Sequence, residues 1–376
     1  MVVRGIEATQ AIQAIDNSVR LIAGKSTLVR VYLDPASFSG ATTVTGELTW
    51  KRGGGGSHYL PAMNRVKFGS GEDVSLVDQR FDLEKSLNFR LPDDAVTSGV
   101  LEFRLNRLLV PGGADIPFAA QPPLQLEFQS APQLRIRAIG LRYKSTANPN
   151  TTVTPSAIHF AYLKSYLERA YPVASVEWSQ IVVDGDQLSP PFDAGTSDLV
   201  NAQLAALRGR EISSGVDPRT HYFGLVDTEN GQNFMRGSAM YSEATKIFGM
   251  IACGPCGVPN GWTGDTDASF ADWYGAHELG HTFQRRHPGF PVGVQSRDPD
   301  EPGFPYPDGS ISTADHKYVG FDFGDQNLGL SMQVLPGTVH HDVMTYADSQ
   351  WLSAYTYEAI HARLLAEDAQ LAPPIG

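Results

Sequence analysis

Two hydrophobic patterns divide the chain. Over the first 130 residues, apolar and polar positions alternate in short runs at 27–33, 43–50, 87–91 and 100–105, separated by clusters of Gly, Pro, Asn and Asp. A period of two turns one face of a strand inward, and the turn-forming residues between runs end each strand. No run of ten or more residues there has helical spacing. Many short strands at this spacing predict an antiparallel sandwich of immunoglobulin-like shape. Residues 53–56 (GGGG) read as a hairpin tip or flexible loop, and 128–133 (FQSAPQ) as the boundary.

From Leu134 strand and helix patterns alternate. Residues 134–143, 176–183 and 221–226 read as strands, and 156–170, 197–207 and 354–365 as helices. The first of these helices turns Ile158, Ala161, Tyr162, Leu163 and Tyr166 inward. Strands alternating with helices predict a mixed, mostly parallel sheet covered by helices. The expected organisation is therefore two-domain: a β-sandwich over 1–130 and an α/β domain over 131–376, a division that suits 376 residues. Residues 290–338 are rich in Pro, Gly and Asp, and a long irregular segment of that kind usually lines a functional cleft.

The chemistry concentrates in HELGHTFQRRH, residues 277–287. Residues four apart on a helix leave the same face one turn apart, so His277 and His281 can share one Zn²⁺ while Glu278 points beside it toward water. Phe270, Trp273 and Tyr274 continue the same stripe, which places the histidines on a buried side. Thr266 or Asp267 is expected to cap the helix. His287 becomes a third ligand only if the helix stops near Gln284 and the chain turns back, and Pro288-Gly289 marks such a stop. Three imidazoles leave one vertex open, which is the arrangement of a catalytic site rather than a structural one.

A second motif, Asp342-Val343-Met344-Thr345-Tyr346, follows downstream. Together the two motifs resemble the metzincin clan of zinc endopeptidases, with HExxHxxGxxH and a later Met-containing turn. The segments 264–281, 302–312 and 342–360 look like those of secreted bacterial zinc metalloproteases, a group that includes mucin and glycoprotein cleavers. The resemblance covers roughly the last two thirds of the chain. It implies that Met344 forms an apolar floor under the metal, and that Tyr346 is a fifth ligand or donates to the tetrahedral intermediate. It also implies an extended polypeptide or glycoprotein substrate held as an added strand along a sheet edge, for which 231–252 is the candidate. One position departs from the pattern: the glycine at the helix break is Gln284 here. A non-glycine residue in the left-handed conformation costs roughly 1–2 kcal/mol, so either Gln284 adopts it or the break shifts.

These parts imply hydrolysis by metal-activated water with Glu278 as general base and Tyr346 at the oxyanion. The alternative is a zinc-stabilised binding or adhesion module that hydrolyses nothing. Glu278 favours the enzyme, because a structural site needs no carboxylate beside its ligands.

Composition narrows the partners. A net charge of −12 argues against a nucleic-acid partner. No apolar run approaches 18 residues, so no transmembrane segment is expected, and the oligomeric state is not legible. No export signal precedes the first strand; either one was removed or the protein stays inside, and the resemblance favours secretion. Asp184–Asp186 and 322–325 match no complete calcium loop, so Ca²⁺ is an unsupported second cofactor and these carboxylates are expected to be solvated. Cys253 and Cys256 read as a local disulfide in a loop before the motif helix, with free thiols as the alternative. His159, His221 and His361 are expected to be structural or on the surface. His340 and His341 are candidates for supporting or substrate contacts.

Overall fold

In the amino-terminal part, strands Thr42–Arg52 and Gly99–Leu109 bury alternate residues, as a half-covered antiparallel pair requires. They belong to a sheet that also holds Leu124–Gln129, Leu21–Ile22, His58–Pro61 and Val66–Phe68. A second, three-stranded antiparallel sheet is formed by Val3–Thr9, Leu28–Leu33 and Leu87–Arg90. The two share one apolar cluster around Val29, Val31, Leu48, Trp50, Phe89, Phe103 and Phe128. The GGGG segment joins Thr42–Arg52 to its partner His58–Pro61, as a hairpin connection does. These features come from a computed structural model that describes residues 2–370, apart from 39, 70, 131, 146, 230–234, 241–249, 261–264 and 295–300.

The second sheet system is built on Leu134–Lys144. Val176–Asp184 lies parallel on one side of it, and His221–Asp227 then Ile251–Cys256 lie parallel on the other. Ser238–Ala239 closes that edge antiparallel. Helices Ala157–Ala170 and Ala271–Thr282 pack on one face with a large core that includes Leu163, Phe223, Ala276 and Leu279. Helix Thr196–Ser213 covers the other face through Val200 and Leu204. The fold is thus mixed and sheet-rich, with few helices. Among the described residues no helix is long and apolar enough to cross a membrane.

The two sheet systems are tied through residues 11–25. Ile12–Ala14 pairs antiparallel with Tyr318–Asp322, which in turn pairs with Gln333–Pro336. The expected irregular stretch 290–338 therefore contains a small sheet. Ala11, Ile12, Val19 and Ile22 enter the core around the motif helix, although they precede the boundary expected near 130. The Trp351 indole donates to the Ala11 carbonyl at 2.8 Å. Buried Arg80 pairs with Glu7 at 2.8 Å and also donates to the carbonyls of Gln13 and Lys317. Stripped of Glu7, that guanidinium would be a buried charge without a counterion, so the two parts are fixed by a contact that is costly to break.

Three expectations need correction. Ile251–Cys256 is an interior strand, not a loop. Cys253 and Cys256 are both free and buried. Three residues apart on a strand, their side chains leave opposite faces, and they enter different cores, so they cannot bridge. The 322–325 carboxylates are not simply solvated either: Asp322 pairs with Arg169, and Asp325 accepts from Ser165 at 2.8 Å. Of the candidate edge at 231–252, residues 231–234 and 241–249 lie outside the described residues, and Ser238–Ala239 is the described edge strand.

Candidate metal centre

The motif helix runs Ala271–Thr282, three to four residues later than a cap at Thr266 or Asp267 would give. Those residues are used otherwise: Asp267 accepts from Ser269 N at 2.8 Å, and the Ser269 hydroxyl accepts from Ala271 N at 3.1 Å. The helix ends as the third histidine requires. Gln284 takes the left-handed conformation (φ 65°). The Arg285 amide reaches back to Gly280 O at 3.0 Å and the Gln284 amide to His281 O at 2.9 Å. This is a Schellman stop with glutamine in the place that glycine usually takes. The reversed chain brings His287 onto the helix face.

His277, His281 and His287 gather so that one ligating atom from each lies within 4.8 Å of the others. Their ring centroids stand 4.6–5.1 Å apart. His277 Nδ1 lies 2.7 Å from Val343 O, and His281 Nδ1 lies 2.8 Å from Arg285 O. A carbonyl only accepts, so each Nδ1 carries a proton, and in its neutral form each ring presents an Nε2 lone pair. His277 Nε2 and His287 Nε2 are 3.1 Å apart. Two nitrogens held at about 2.0–2.1 Å by one tetrahedral ion would be about 3.3 Å apart. Burial, then repulsion from His281 and His287, pushes the His277 pKa well below its ordinary value. Burial, then His281, pushes that of His287 down to about 3. Both are therefore neutral near pH 7, the form that ligates a metal. The donor set fits a divalent ion.

Glu278 is buried beside the triad and lines the same cavity of about 850 Å³. Gly237, next to the edge strand, lies directly against it: a Cβ there would collide with the Glu278 carboxylate. The Gly237 amide donates to Tyr274 Oη at 3.1 Å, fixing the segment over the helix. Below the helix, a Cβ on Gly280 would collide with Met344 Sδ, so the glycine of HELGH admits the methionine. Met344 is buried and its amide bonds to Asp342 Oδ1 at 2.9 Å. The Tyr346 ring packs 4.7 Å from His287 and 5.5 Å from His277, about half exposed at the cavity wall.

All six residues singled out by the two motifs thus meet at one place. His340 lines the cavity, whereas His341 stacks on Phe290. His159, His221 and His361 stand elsewhere, bonded to Ser269, to Thr282 and Glu367, and to Arg20. Gly237 was missed because nothing local marks a glycine 41 residues upstream as the cover of Glu278. The Val343 and Arg285 carbonyls were missed because main-chain acceptors have no signature in side-chain identity. No family model matches the chain, and no curated protein matches it.

Proposed function

We propose that this protein is a zinc-dependent endopeptidase of metzincin type that hydrolyses peptide bonds in protein or glycoprotein substrates. On this reading the amino-terminal sheets form an immunoglobulin-like accessory domain, and the enzyme acts outside the cell. The observation that carries the proposal is the convergence of three imidazoles on one point, with the Glu278 carboxylate beside them in an open cavity. His277, His281 and His287 would hold the ion; zinc suits an all-nitrogen set with a free vertex. When bound, it supplies Lewis acidity toward the scissile carbonyl and toward water.

The remaining work falls to the chain itself. Glu278 takes a proton from the attacking water and hands it to the leaving amine. Close packing against Gly237 restricts the carboxylate. Tyr346 would donate to the oxyanion from its phenol, a role supported by the packing of its ring against His287 and by its partial exposure at the cavity wall. Ser238–Ala239 is a two-residue edge strand lining the same cavity, so an extended substrate can add to it by main-chain bonds.

Metal analysis paired with Glu278→Ala, assayed on a panel of proteins and mucin-type glycoproteins, tests the reading. About one zinc per chain is expected in both forms, with cleavage lowered about 10²–10⁴-fold in the variant. Equal cleavage by both forms would refute the assigned base.

A further inference from the structure

Beyond the triad, the cavity continues past the amino-terminal half of the motif helix, and its walls there are acidic. Among the described residues lining the whole cavity, seven carboxylates face two arginines. One of those arginines, Arg169, is already paired with Asp322 and lies over the Tyr166 and Trp351 rings. Asp265, Asp267 and Asp272 form the acidic end. Asp265 accepts from the Trp273 indole at 2.7 Å, and Asp267 accepts from the Ser269 amide. Asp272 is 5 % exposed, and its Oδ1 has no hydrogen-bond partner among the described residues. A buried carboxylate oxygen left in that state is costly.

Resting on the endopeptidase reading, we propose that this acidic end is a specificity pocket for the cationic side chain, arginine or lysine, of a substrate residue close to the scissile bond, with Asp272 as its principal acceptor. Asp272 precedes His277 by five residues, about 7.5 Å along the helix axis and about 140° around it, so the acidic end lies round the helix from the ligand face. The cavity runs continuously between the two, and a long side chain is what such a separation demands of a substrate residue next to the cleaved bond. The aromatic rings of Tyr166, Trp273 and Trp351 line the way and suit both the apolar stem and the cation. A bare metal ion fits less well. The three carboxylates do not bring their oxygens within 4.8 Å of one another, as the histidine triad does with its nitrogens. Burial, then the neighbouring Asp267 and Asp265 charges, pushes the Asp272 pKa well up, while Asp267 is pushed up to about 6. An incoming cation offsets the mutual repulsion of these carboxylates.

The test compares two peptides that differ only in arginine against citrulline, its uncharged isostere, with the residue walked along a neutral frame. Affinity is measured on the zinc-loaded full chain carrying Glu278→Ala, and cleavage sites are mapped with the unmodified protein. At one position beside the cleaved bond, arginine should bind about 10- to 100-fold more tightly than citrulline. Adding Asp272→Asn should bring that ratio close to one, and Asp267→Asn should lower it by a smaller factor. If arginine binds preferentially but nothing is cleaved, the endopeptidase reading fails and the pocket stands. If cleavage occurs with no preference for a basic residue and the two peptides bind equally, the pocket is refuted and the endopeptidase reading survives. Calcium alone binding in an Asp272-dependent way, without arginine discrimination, would also overturn it.

Discussion

Among the described residues, two side-chain groups bring three potential metal donors together: His277, His281 and His287, and the group His159, Asp227 and Cys256. They differ in what their donors already do. In the first, the protein binds the Nδ1 atoms of His277 and His281 by carbonyls, and the Nε2 of His277 is turned toward that of His287. In the second, His159 Nδ1 meets the Ser269 hydroxyl at 2.7 Å and Nε2 stands 3.5 Å from Asp227. Burial pushes the Cys256 thiol up, which keeps it protonated and a poor ligand. One group gathers three ring nitrogens at one place; the other braces helix Ala157–Ala170 against the loop before the motif helix. Proximity of donor types is therefore a weaker signal than the direction in which the remaining lone pairs point.

The strongest way to break this contrast is to remove ligands. Zinc at 100 to 1,000 times its dissociation constant should stabilise the protein by about 3–4 kcal/mol, an effect that a chelator reverses. His281→Ala should abolish that gain. His221→Ala should preserve it, because His221 is held by Thr282 at 2.8 Å and by Glu367 at 3.2 Å. Its loss should instead lower stability by about 1–3 kcal/mol in apo and zinc-loaded protein alike. Thermal unfolding with and without metal separates the two outcomes.

Gly237→Ala probes the cover of the base. The added methyl collides with the Glu278 carboxylate, so activity should fall about 100-fold with zinc stoichiometry unchanged. Retention of full activity would mean that the segment over Glu278 is free to yield.

A histidine with protein partners also carries a pH signature. Burial, then the Arg20 charge, pushes the His361 pKa down to about 4. Arg20 donates to its Nδ1 at 2.7 Å. Between about pH 4 and the ordinary value near 6.5, the unfolded chain binds a proton that the folded one does not. Stability from this residue is thus complete above pH 6.5 and is lost as the pH falls toward 4. His361→Gln should remove about 3 kcal/mol of that acid-side loss in acid unfolding titrations. The smallest effect belongs to Gln284→Gly, which relieves left-handed strain at the helix stop and should add about 1 kcal/mol.

Much of this architecture was legible locally. The helix expected at 156–170 is Ala157–Ala170 with Ser156 as its cap residue, and three of the four described parallel strands start at their expected positions. The site was legible because HExxH fixes its own geometry on a helix. What escaped depends on long-range packing. Residues 251–256 hide a buried strand behind Gly254-Pro255, a pair that reads as a turn, and a strand covered on both faces shows no alternation. Ile12–Ala14 is too short to announce that its partner lies more than 300 residues away. The acidic end of the cavity was invisible for a similar reason: Asp265 and Asp267 sit in a loop and Asp272 on a helix, and only tertiary structure turns them into one wall.

X-ray absorption at the zinc edge of the purified protein tests the central claim most directly. One zinc per chain is expected, with three histidine nitrogens at about 2.0–2.1 Å, oxygen in the remaining position, and no sulfur near 2.3 Å. A sulfur shell would place the ion at Cys256 or Cys253 instead, and a chain that takes up no zinc at all would contradict the site outright.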